Sequence, residues 1–203
     1  MDAASLIAFT AVFAVACSSP GPAIAALIAR VLSRGRRGAL PFCAGLLLGD
    51  LAWLAAAVFG LAALAELFQP LFLAIKYLGA AYLAWLGWRL FTAPAEAPKD
   101  LPLAPGEGGR LLFAGLSITL GNPKAMLFFL ALLPTVLDLS ALTLSGFATL
   151  SAVVTLVYSL VLLAYVLLAD RARGFIRSSR AMRWMNRVTG GIMLGAAAAV
   201  ATR

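Results

Sequence analysis

The sequence predicts an all-α membrane protein: six transmembrane helices arranged as two inverted three-helix repeats, with the first and fourth helices broken. Three observations lead there. Of 203 residues, 63% are hydrophobic and 12% charged, whereas a soluble domain is nearer half apolar and a quarter charged. Six apolar stretches reach or approach the ~20 residues a helix needs to cross ~30 Å of hydrocarbon. Two Pro-centred interruptions, Ser18-Ser19-Pro20-Gly21-Pro22 and Gly121-Asn122-Pro123-Lys124, lie at corresponding places in the two halves.

The stretches are Ala3–Leu32, Leu40–Leu64, Leu71–Leu90, Leu111–Leu137, Leu142–Ala169 and Trp184–Ala201. Gly and Pro inside long apolar runs suit helices better than a barrel, whose strands alternate over ~10 residues. The first stretch lacks a basic leading region, since Asp2 is its only early charge, and it continues past its break. It therefore reads as a retained span rather than a signal peptide. The second carries small residues at Gly45, Gly49, Ala52, Ala56, Gly60 and Ala63, a one-face stripe that lets another backbone approach. Gly191 and Gly195 repeat that spacing in the sixth, and helix packing is the role expected of all these glycines.

Thr92–Arg110 is the one polar connection, rich in Pro and Gly, and reads as a flexible cytoplasmic linker spanning 92–110. It separates a first repeat, 1–91, from a second, 111–203. Three spans is an odd number, so the second half starts on the opposite side from the first. Internal similarity is faint: Gly21-Pro22 aligns with Asn122-Pro123, and the Lys76–Leu83 segment is loosely echoed by Arg187–Leu194.

The chain carries a net charge of +8, and 13 of its 16 basic residues fall on alternate connections. Arg30, Arg34, Arg36 and Arg37 follow span one. Arg89, Lys99 and Arg110 flank the linker, and Arg171, Arg173, Arg177, Arg180, Arg183 and Arg187 follow span five. The positive-inside rule puts these loops in the cytoplasm and both termini outside. Topology and contact with anionic membrane lipids account for the arginines without nucleic acid. No His is present, and Cys17 and Cys43 form no CxxC pair. Nothing reads as a cofactor or metal site, and an enzyme is not expected.

Interrupted helices at matched positions point to a transporter's binding site. Pro20 and Pro22 lack N–H groups and obstruct regular helix. Freed backbone groups at membrane depth need protein or a water-filled cavity around them. Ser18 and Ser19 can bond such groups; the simpler reading is a Pro kink. At the second break, Asn122 donates and accepts, Pro123 removes a helix bond, and Lys124 adds a cation. A charge near the bilayer centre costs at least ~2.5–3.5 kcal/mol, so Lys124 should face a cavity or a partner. With half-helix N-terminal amides it could hold a carboxylate. Asp50, the one acid well inside a span, could carry a coupling proton or bind an ammonium, or simply pair with Lys124. Tyr82 is a secondary candidate; Tyr77, Trp85 and Trp88 read as interfacial aromatics.

These residues resemble the lysine-exporter superfamily of amino-acid efflux permeases, which includes homoserine and threonine exporters. The resemblance rests on Pro20-Gly21-Pro22, Gly35-Arg36-Arg37-Gly38, and Gly45, Gly49 and Asp50. It continues in the Lys76–Leu90 segment with Gly79, Tyr82 and Gly87, and in Gly121-Asn122-Pro123-Lys124-Ala125 with Phe128-Phe129 and Pro134. It runs from about Ser18 to Leu137. Two positions depart: Ala23 stands where the family often has Asn, and Thr135-Val136 where it often has Gln-Phe. The resemblance implies six spans, inverted repeats, a bacterial cytoplasmic membrane, and export of an amino acid or similar metabolite. Proton or ion coupling is the expected drive, and homo-oligomerisation is left open. Competing readings are a membrane thiol redox carrier, a metal-ion exporter and a non-transporting scaffold.

Overall fold

The computed structural model describes residues 2–59, 77, 81, 84–85, 87–93, 104–138, 142–173 and 179–202, and every element among them is helical. In chain order these are α1 (Ala3–Ser18), α2 (Pro22–Arg34), α3 (Ala39–Val58), α4 (Glu107–Leu120), α5 (Pro123–Val136), α6 (Leu144–Arg173) and α7 (Ser179–Thr202). Among the described residues α3 and α6 are each long and apolar enough to cross a membrane, and counting the bent pairs α1–α2 and α4–α5 as one span each brings the candidates from two up to four. Most of the third predicted stretch, Leu71–Leu90, and its candidate Tyr82 lie outside the described residues.

Each helix start has a local cause. Asp2 caps α1, its Oδ1 accepting the Ser5 N–H at 2.8 Å. Pro22 and Pro123 open α2 and α5 at positions where a missing N–H costs nothing. Between α2 and α3 the chain reverses in four residues. Gly35 (φ 72°) and Gly38 (φ 76°) take the positive φ that this turn demands. The turn holds Arg36 and Arg37 at its tip.

Helix association in lipid gains little from apolar burial, because acyl chains are as apolar as Leu; close backbone packing does the holding. The α3–α4 contact shows how. A Cβ at Gly45 would meet the backbone of Leu112 and Leu116, one at Gly115 would meet Phe42 and Leu46, and one at Gly49 would meet Thr119. Register advances together along both helices, so α3 and α4 run parallel. On α7, the close glycine contact is made by Gly190, against Gly87 and Phe91 of the helical stretch at 87–92. Gly191 and Gly195 have no described neighbour within 4 Å of a Cβ placed on them. One residue turns the helix by about 100°, so adjacent glycines serve different faces.

α1–α2 and α6 are also parallel: Phe13 meets the Tyr158 ring at 6.4 Å, Ser18 meets Tyr165, and Arg173 reaches the Leu32 carbonyl. The charged end of the bundle gathers the end of α2, the starts of α3 and α4, and the end of α6. There Arg36 pairs with Asp170 at 2.6 Å, while Glu107 lies 3.9 Å from Arg30 and 3.7 Å from Arg34. The Arg36–Asp170 and Arg34–Glu107 pairs each have an exposed arginine, and pairs of that kind contribute roughly 0–1 kcal/mol each and act mainly to set position.

Candidate functional site

Both breaks bend the chain by nearly the same angle, 52° between α1 and α2 and 53° between α4 and α5. They meet at one cavity of about 50 Å³, lined by residues of both breaks together with Asp50 of α3 and Tyr158 of α6. Of the predicted site residues, Ser19, Gly21, Asp50, Asn122 and Lys124 line it; Ser18, Pro20, Pro22 and Pro123 form the breaks without reaching it.

Backbone groups freed at the first break are satisfied from across the fold. Ser19 turns extended and its carbonyl accepts the Lys124 ammonium. The Ser18 carbonyl accepts the Tyr165 hydroxyl at 2.7 Å. The serines thus contribute main-chain carbonyls to these bonds. Gly21 is extended (φ −136°), a conformation any residue adopts. Its hydrogen faces the lysine stem: a Cβ there would stand 3.4 Å from Lys124 Cδ.

The second break is closed locally. Asn122 is buried and caps α5, its Oδ1 accepting the Lys124 N–H at 3.1 Å. The Thr119 carbonyl accepts the Asn122 N–H at 3.0 Å and the Trp53 indole N–H at 3.2 Å. Further along α5, Phe128–Leu132 is a π-helical turn in which the Leu133 N–H reaches back to the Phe128 carbonyl. Pro134 supplies the cause, since a regular helix would drive its ring into the Leu130 carbonyl. The wider turn leaves Phe128 and Phe129 both buried and both on the cavity wall. Such turns recur at functional sites.

Asp50 is 5% exposed, yet among the described residues no ion pair joins it to Lys124. A carboxylate and an ammonium therefore share a small cavity without closing on each other. The N-terminal amides of α2 and α5, which have no carbonyl one turn back to bond, start at the same place and favour negative charge. Cys17 lines this cavity, and Cys43 lines a separate groove between α3 and α6; both are free thiols.

Trp53, Tyr158, Tyr165 and Phe13 were not singled out from the sequence. Trp53 lies three residues beyond Asp50, near enough on one helix to have been suspected. Tyr158 and Tyr165 sit seven apart, two turns along one face of α6, a spacing indistinguishable from ordinary packing.

A protein-family model described as LysE type translocator matches residues 14–203. Among curated relatives, a membrane protein of Vibrio cholerae is 29% identical, aligned over 100% of this chain and 98% of its own. The homoserine/homoserine lactone efflux protein of Salmonella typhimurium is 27% identical over 87% of this chain and 85% of its own. The threonine efflux protein of Salmonella typhi is 26% identical over 89% of each. No solved structure matches. A family match that covers both breaks, all the cavity lining but Phe13, and nearly the full length makes this chain a member of the LysE family of translocators, and so a transporter rather than an enzyme.

Proposed function

We propose that this protein exports an amino acid or similar small metabolite across a bacterial cytoplasmic membrane by proton- or ion-coupled alternating access. The observation that carries the reading is the cavity at the crossed breaks, which holds Asp50 and Lys124 unpaired with each other. A zwitterion complements that pair. Its carboxylate fits Lys124 and the α2 and α5 N-termini, and its ammonium fits Asp50. When the site is empty of cargo, Asp50 is free to take a proton, which is the simplest means of coupling. Named relatives that efflux homoserine and threonine support the same cargo class.

Six spans arranged as inverted repeats are part of this proposal, and the same geometry is consistent with them. An inversion exchanging spans one with four and two with five maps the parallel pair one–five onto the parallel pair four–two. The near-equal bends support this, as does the clustering of the end of span one with the start of span four at the arginine-rich end. That end is cytoplasmic in this reading and both termini are outside. A space of about 50 Å³ admits a few waters at most, so admitting cargo requires the walls to part, beginning with the Lys124–Ser19 bond.

The test is an efflux panel. Cells loaded with dipeptides are followed for release of each amino acid, with wild type against Asp50→Asn. Accelerated release of at least one amino acid by wild type, abolished in a variant that still reaches the membrane folded, is expected. Undiminished efflux by Asp50→Asn would remove that residue from the mechanism, and no accelerated amino acid at all would sink the cargo assignment.

A further inference from the structure

The far end of α2 lines a second cavity, of about 310 Å³. It is walled by α2, α3, α4, α7 and the helical stretch at 87–92, through residues such as Ala29, Leu90 and Met193. Three arginines border it: Arg30 and Arg34 one turn apart on α2, and Arg89. Arg89 is held over the Trp85 ring at 5.1 Å.

Among the described residues the charges here are out of balance. Glu107 is the one carboxylate paired with these arginines among the described residues, at distances too long for hydrogen bonds. Arg30 gives one Nη2 bond to the Arg37 carbonyl, and its Nε is buried with no partner among the described residues. Guanidinium is the side chain best matched to phosphate, which it grips by two parallel N–H bonds. Basic pockets between helices, with apolar walls beneath the charges, suit phospholipid head groups.

We infer that the Arg30–Arg34–Arg89 cavity is a phosphate-binding site, separate from the cavity at the breaks. Among the described residues, an excess of two positive charges over Glu107 matches a phosphate group better than a neutral zwitterion. The apolar floor would take the glycerol and first methylenes when the phosphate belongs to an anionic phospholipid; a soluble phosphate would use the arginines alone.

The test uses the full chain purified in detergent and three probes: phosphatidylglycerol, phosphatidylcholine, and inorganic phosphate against chloride at equal ionic strength. Bound lipid is counted by native mass spectrometry, and the thermal midpoint is read in parallel. Phosphatidylglycerol should be retained about tenfold over phosphatidylcholine and should raise the midpoint. Arg34→Gln and Arg89→Gln, whose side chains are exposed enough to change without disturbing packing, should each lower retention about tenfold. Arg110→Gln, outside the cavity, should not. A midpoint rise with inorganic phosphate that the same two variants remove would support the site with a soluble source. The proposal is overturned if no probe is preferred, if the preference survives both variants, or if Arg110→Gln lowers it equally.

Discussion

The two breaks are nearly identical in shape and unlike in chemistry. Each places Pro at the first position of its second helix, and each bends the chain by just over 50°. The first break brings main chain to the cavity: the Ser19 carbonyl and Gly21, with α2 amides behind them. The second brings side chains, Asn122 and Lys124. One break also depends on the rest of the fold, since Lys124 and Tyr165 satisfy its carbonyls, while the other caps itself through Asn122. The bend is common to both breaks, while the polar side chains they bring to the cavity come mainly from the second. A repeat fold can diverge in this way because proline sets the bend, leaving neighbouring side chains free to vary.

The strongest way to break that comparison is to remove the cation. Lys124→Ala should cut efflux about 100-fold or more, whereas Ser18→Ala with Ser19→Ala should leave it within about threefold; initial efflux rates on folded, membrane-inserted protein check both. Equal losses would mean the first break also acts through its side chains. Next is the cap. Asn122→Ala should destabilise by about 0.5–2 kcal/mol, with Asn122→Asp retaining most of the capping, as thermal midpoints in detergent would report. Tyr165→Phe should cost about 1 kcal/mol by leaving the Ser18 carbonyl without its donor. The smallest effect has the opposite sign. Thr119 is 1% exposed and its Oγ1 has no partner among the described residues, so Thr119→Val should be neutral or stabilise by up to about 1 kcal/mol. A loss of efflux in that variant without loss of stability would instead give the hydroxyl a place in transport.

Much of the site was legible because membrane burial makes polarity conspicuous. Asp50, Asn122 and Lys124 stand out in apolar helices, and proline announces where a helix must stop. Aromatic partners do not stand out, since Tyr and Trp are common in spans for other reasons. The α7 glycines show a related limit: Gly190, Gly191 and Gly195 are equally small in sequence, and only the rotation of the helix against its neighbour at 87–92 selects Gly190. The arginines were legible as topology signals. That three of them border one cavity depends on how five helical segments converge.

By itself, the sequence determined what local chemistry dictates: apolar helices, breaks at Pro20–Pro22 and Pro123, and charges too costly to face lipid. Only the tertiary structure decided that both breaks open on one cavity, and that Lys124 bonds Ser19 while Asp50 stays apart. It also decided which carbonyls Trp53 and Tyr165 satisfy. Solvation and backbone sterics act within a few residues and can be read along the chain. Which groups meet across 105 or 147 residues depends on the angle and register at which helices pack, and no local preference encodes that.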